Sequence, residues 1–205
     1  MLQSTARNAS RYPAMVLLGM MMLAANAHAV TINWVPVGNP RNAGDPTNGT
    51  INGAVNYDYK IDKYDVTVGQ YVEFLNAKDP AGVNTLGLWN SDMANAVYGG
   101  VSFTPGNASG SKYAPMPGAL NHPINYVNWY DAIRFANWLN NGQGNGDTET
   151  GAYTILGGTP IPSNGLILTY PGTYNTITRN PDAKIVLPTN DEWYKAAYFN
   201  PSTNS

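Results

Sequence analysis

Three times along this chain a short apolar run gives way to the same helix-opening signal. Thr67 is followed three residues on by Gln70, Asn128 by Asp131, and Thr189 by Glu192. In each pair the first side chain can accept from the backbone N–H three positions later, while the second answers the cap's own N–H. The acidic partners also sit in the positive field of the first helical turn. Val66 with Tyr71, and Val127 with Ala132, occupy the positions of hydrophobic staples, the second a weak one. The device predicts three short helices. The first runs from about Val68 to Ala77, burying Tyr71, Phe74 and Leu75, and Lys78-Asp79-Pro80 ends it. The second follows Asn128 to about Asn140, with Trp129, Ala132, Ile133, Ala136 and Leu139 on one wide buried face. The third runs through Trp193, Ala196 and Ala197. Their spacing differs too much for a solenoid.

Between the helices lie short runs that read as strands: Trp34 to Asn39, Tyr57 to Asp65, Val101 to Phe103 and Ile124 to Val127. Tyr153 to Leu156, Leu166 to Tyr170 and Ile185 to Leu187 follow. Leu86 to Met93 is an apolar patch without a clear period, and Gly99 to Gly118 reads as surface hairpins or loops. The expected class is α+β, loop-rich, with short helices packed on twisted antiparallel strands. The chain stops at Asn200-Pro201 and four further residues, with no strand after the third helix signal, so the domain reads as incomplete at its C-terminus, a fragment.

The first 29 residues read as a signal peptide. Arg7 and Arg11 give a positive start, Met15 to Ala25 an apolar stretch, and Ala27-His28-Ala29 an A-x-A cleavage site. The apolar run falls short of the roughly 20 residues of a membrane span, and an uncleaved anchor is the alternative. Export to the periplasm or medium is expected, with a mature domain over residues 30–205 and no stable membrane span after cleavage. Nine basic residues then face thirteen acidic ones, a net charge of −4. That balance argues against a nucleic-acid partner and offers no polybasic membrane patch.

Two absences restrict the chemistry further. The chain has no cysteine, which removes disulfides, thiol catalysis and thiolate metal sites. Beyond the leader its only histidine is His122, so no two-histidine metal site can be assembled.

Four segments carry a family resemblance: WVPVGNP from Trp34, YKIDKYDVTVGQYVEFLN from Tyr59, HPINYVNWYDAIRFANWLN from His122, and LPTNDEWYKAAY from Leu187. From Trp34 to Tyr198 the chain resembles the formylglycine-generating enzyme, or sulfatase-modifying factor, family. There the last two segments usually read close to HPV-x-x-V-S-W-x-D-A and LPT-x-x-E-W-E-x-A-A. The NGQGNGDTETGAYTILGGTP stretch looks like an insertion of an exported bacterial subset. The resemblance implies a C-type-lectin-like fold. It also implies an oxidase that converts a sulfatase cysteine to formylglycine, with copper held by a cysteine pair and structural calcium nearby; relatives are iron-dependent sulfoxide synthases with histidine ligands. Neither the copper nor the iron centre is supported by the residues of this chain, and no catalytic residue carries over.

The remaining candidates are local. The loop Asn141 to Glu149 concentrates oxygen ligands for a hard cation. In an EF-hand register from Asn141, Gly146 takes the glycine position, but Ala152 stands where glutamate is needed. A calcium site of another kind, on Asn145, Asp147 and Glu149, is the metal expectation, against a plain Asn/Gly turn. His122 in Asn-His-Pro reads as structural more than as a general base. Trp129, Trp138 and Trp193, with Tyr126, Tyr130 and Tyr194, read as core first and as an aromatic binding surface second. Asp131, Asp191 and Glu192 are assigned to helix starts. The expected function is an exported sulfatase-modifying-factor-like domain without cysteine-dependent oxidase activity in this chain. One alternative is a lectin-like module binding a glycan or a protein; another is a metal-dependent oxidase whose ligands lie in a missing C-terminal part.

Overall fold

The computed structural model describes residues 29–46, 51–165, 167–169, 172–174, 177–200 and 202. The leader lies outside the described residues apart from Ala29, as do the expected strand ends Leu166 and Tyr170. The α+β class stands. Strand β1 (Trp34–Val37) pairs antiparallel with β2 (Tyr59–Asp62), with Trp34 opposite Asp62. Helix α1 (Val68–Lys78) follows, then the hairpin of β3 (Val101–Phe103) and β4 (Tyr113–Pro115), then α2 (Trp129–Asn140). A small hairpin of β5 (Ile167–Thr169) and β6 (Gly172–Tyr174) precedes α3 (Asn190–Tyr198). Among the described residues every sheet has two strands.

All three capping boxes close with both reciprocal bonds present. At α1 two more first-turn donors are satisfied from outside the helix. Val68 N–H donates to the His122 carbonyl at 2.8 Å, and Gly69 N–H to the Leu120 carbonyl at 2.9 Å. Gly69 permits that approach, because a Cβ there would come within 2.7 Å of the Leu120 side chain. His122 therefore serves α1 through its backbone.

Helix α2 is the spine. One side packs Phe135, Trp138 and Leu139 against Tyr71, Phe74 and Leu75 of α1, with Leu88, Met93, Val101 and Tyr113 closing that core. The rings of Phe74 and Trp138 lie 5.3 Å apart, as do those of Phe74 and Phe135. The other side packs Ile133 and Ala136 against Ala152, Tyr153, Ile155 and Ile177 in a second core. Between these faces Arg134 and Asn137 are fully buried too. The helix is thus enclosed nearly all round from Ile133 to Leu139, where the spacing predicts one buried face. Trp129, expected in that face, is 37% exposed, because the helix start projects beyond both cores.

Three expected strands do not form. Ile124 to Val127 carries one bridged neighbour, Thr67 with Pro123, and Tyr126 turns into left-handed backbone at φ 62°. Tyr153 to Leu156 contributes a single bridge, Tyr153 with Arg179. Ile185 to Leu187 joins no ladder; its half-buried side chains pack on both cores while side chains hold its backbone. Asn140 Oδ1 accepts from Lys184 N–H at 2.8 Å, and the Tyr153 hydroxyl accepts from Leu187 N–H at 3.0 Å. Leu86 to Met93 resolves as a turn leading into a 3₁₀ turn at Ser91–Ala94, with Leu88 and Met93 in the first core.

Candidate functional site

Helix α3 is built inside out. Its buried residues are the charged ones, Glu192 and Lys195, while Trp193, Ala196, Ala197 and Tyr198 are exposed. The charged side chains tie the helix to the segment before α1. Lys195 Nζ donates to the Asn39 carbonyl at 2.8 Å, and the Tyr194 hydroxyl to Asp45 at 2.7 Å. The Asp191 carboxylate accepts from Gly53 N–H at 2.9 Å. Glu192 accepts from the Tyr57 hydroxyl at 2.6 Å and from both terminal nitrogens of Arg179, at 2.9 and 2.5 Å. The Tyr59 hydroxyl donates to the Glu192 carbonyl, and Arg179 also donates to the Leu187 carbonyl.

Held this way, α3 walls a groove of about 1870 Å³ with the β1–β2 hairpin, residues 179–188 and the inner turns of α2. Trp34, Ile61, Phe135, Leu139, Val186 and Trp193 supply much of its apolar lining, and Tyr57, Tyr59, Arg179 and Glu192 form a polar cluster along it. Its volume is larger than the roughly 300–1,000 Å³ of a drug-sized ligand's pocket.

The charges of that cluster are fixed. Burial pushes the Glu192 carboxyl up, but hydrogen bonds from Arg179, Tyr57 and the Thr189 amide outweigh it and hold it at about 2. Arg179 is raised above its ordinary value by its bond to Glu192, and burial pushes Tyr59 up to about 12. General acid–base catalysis wants a group that titrates near the working pH, and none of these three does. Asp131 is different. Burial raises it to about 6, against the Asn128 amide bond and the Arg134 charge that favour ionisation. Yet Asp131 is 2% exposed and lies away from the groove lining, with one carboxylate oxygen lacking a partner. Its role in the fold is to cap the helix.

The expected calcium residues are dispersed in their roles. Asn145 is exposed. Asp147 accepts from Glu149 N–H at 2.9 Å and from the Thr150 hydroxyl at 2.6 Å. Those two bonds, the hydroxyl's first, hold its carboxyl below the usual range. Glu149 forms a two-point pair with buried Arg134, Nε–Oε1 2.7 Å and Nη2–Oε2 3.1 Å. No group of three or more His, Cys, Asp or Glu side chains gathers among the described residues. Sequence reasoning missed the Arg134–Glu149 pair, since a separation of fifteen residues across a loop follows no helical or strand period. It also missed Arg179, whose only signal was a basic residue ahead of the third capping box. Of the aromatics, Trp138 is core at 2% exposed, whereas Trp193 at 50% and Tyr126 at 39% correct the core-first reading. Trp193 faces outward because Glu192 and Lys195 take the inward positions.

With this geometry in place, the chain can be compared with known proteins. A model of the sulfatase-modifying factor enzyme 1-like domain matches residues 22–202, and the chain belongs to that family. Neither the curated proteins nor the solved structures compared with it give a match. The cysteine-held copper of the family's oxidases does not fit this chain, which offers no thiolate. Among the described residues no helix is long and apolar enough to cross a membrane.

Two measurements follow from the charges. The folded Asp131 holds its proton to about pH 6 against an ordinary value near 4, so its contribution is fully present below pH ~4 and lost as pH rises through 6. Urea midpoints are expected to show a gain on the order of 2 kcal/mol between pH 7 and 4.5, abolished in Asp131→Asn. Below about pH 4.5 the depressed Glu192 reverses the trend, because its stabilisation is lost as pH falls toward 2. For the 141–149 loop, calorimetric titration with calcium is expected to give no heat and no thermal shift. Measurable binding would contradict this expectation.

Proposed function

We propose that this chain is an exported sulfatase-modifying-factor-like domain, from the family's exported bacterial subset, that does not itself oxidise cysteine. The observation that carries this reading is the donor inventory. The sequence has no cysteine, and its one histidine outside the leader is an exposed residue whose backbone caps α1. The charged cluster of the groove is locked away from neutral-pH proton transfer. We take the fold to be C-type-lectin-like, in keeping with short two-stranded hairpins around loop-rich cores.

The outward apolar side of α3 and the open groove support reading residues 30–205 as the N-terminal portion of the family domain. The remainder would then pack where Trp193, Ala196 and Ala197 are bare. A second reading, a lectin-like module for a glycan or protein, draws on the same groove, whose aromatic lining and volume suit a polymer. The reading frame beyond Ser205 separates the two: further strands with clustered cysteines or histidines would restore an oxidase, and their absence favours binding.

The direct assay is oxygen consumption with a cysteine-containing sulfatase peptide and added copper. The expected rate is that of the peptide and metal without protein. Turnover that depends on this chain would overturn the proposal.

A further inference from the structure

We propose that the Ala29–Val30 peptide bond is the junction at which the leader is removed, and that Gln143 is a built receptor for the new amino terminus. The inference rests on the export reading and adds to it a site. Ala27 and Ala29 place small residues at the third and first positions before the bond, the pattern a leader peptidase accepts. The structure changes character at the same bond: Ala29 is exposed, whereas Val30 is 8% exposed and part of the first core.

Val30 is held by a two-point clasp. Its N–H donates to Gln143 Oε1 at 2.6 Å, and Gln143 Nε2 donates back to its carbonyl at 2.8 Å. The next residues are fastened in turn, Thr31 through its carbonyl to Gln70 Nε2 at 2.9 Å and Asn33 through its N–H to Asp62. Gln143 occupies this position at a conformational cost. It adopts φ 65° between Gly142 at 84° and Gly144 at 52°, a run of left-handed backbone in which a third glycine would be the unstrained choice. Its own N–H donates to the Trp138 carbonyl at 2.9 Å, which ties the clasp to the end of α2. Asn84, also left-handed at φ 58°, closes the same way on mid-chain Trp89, so what sets Gln143 apart is its partner, the first residue after the A-x-A junction.

The chemistry is hydrolysis of one peptide bond by water and a peptidase of the export route. The Ala29–Val30 C–N bond breaks, Ala29 leaves as a carboxylate, and Val30 nitrogen gains protons to become an α-ammonium. Val30 is inaccessible in the fold, so cleavage acts on the translocating chain and docking follows. The freed terminus then offers three N–H donors to Gln143 Oε1 where the uncut chain offers one, and a charged donor makes the stronger bond.

Expression of the full 205-residue chain in a bacterial host, with intact mass and amino-terminal sequencing of the exported protein, tests the junction. A start at Val30 is expected. An exported chain starting at another residue would overturn the junction while leaving export intact, and a cytoplasmic chain with its leader retained would overturn both. For the receptor, Gln143→Ala in the processed chain is expected to lower Tm by about 4 °C at neutral pH. Gln143→Glu loses the donor to the Val30 carbonyl but sets a carboxylate against the α-ammonium, so its Tm should fall more steeply than the parent's as pH rises past the α-amino pKa of about 7.7–8.0. An unchanged Tm in Gln143→Ala, or a Gln143→Glu profile no steeper than the parent's across that range, would show that Gln143 does not receive the terminus.

Discussion

A side-chain amide closing on both the N–H and the carbonyl of one residue is the interaction this fold depends on. Asn137 grips Tyr153 this way, accepting at 2.7 Å and donating at 3.1 Å. Asn76 grips Tyr113, and Asn84 grips Trp89. Gln143 does the same for Val30. Each fork supplies what a neighbouring strand would, one acceptor and one donor in the right geometry. Buried backbone has to be paired, and two-stranded hairpins satisfy little of a chain this long. The forks let irregular segments enter the core with their polar groups met. They also explain why a domain rich in Asn and poor in regular structure can bury two cores.

Helix α2 gathers these interactions. Arg134 is fully buried, and besides Glu149 it donates to the Thr159 and Pro160 carbonyls. A buried ion pair is a weak source of net stability, since desolvation offsets most of its attraction. Its consequence here is placement, because one guanidinium fixes the courses of residues 149 and 159–160 at once. Asn137, Asn140 and Asn141 continue the same side of the helix onto Thr148, Lys184 and Thr150.

This explains what could be read in the sequence and what could not. Thr67, Asn128 and Thr189 were legible because a capping box is local: four consecutive residues hold both partners. The β3–β4 hairpin was legible from Val101 and Phe103 with the glycine-rich turn beyond them, but its expected surface position was wrong, because Val101 and Tyr113 are buried in the first core. Ile185 to Leu187 misled because an apolar run predicts burial correctly but not the partner of its backbone, which here is Asn140 and the Tyr153 hydroxyl. Trp193 misled because aromatic spacing on a helix implies an inward face, and the inward face was taken by Glu192 and Lys195 through contacts 130 residues and more away. For the candidate site, the exclusions were legible at once from the missing cysteines. The groove was not, since it is assembled from four distant segments.

The ionisable groups follow the same division. Asp131, raised by burial to about 6, is a buried cap, whereas Arg179 and Glu192 in the groove hold each other charged. Amide hydrogen exchange tests the central claim most directly. Tyr153 and Trp89 lie outside the helices and strands, yet their N–H groups donate into forks. The account predicts that both exchange as slowly as the amides of α2 between Ile133 and Leu139. Exchange at the rate of open loops would contradict it.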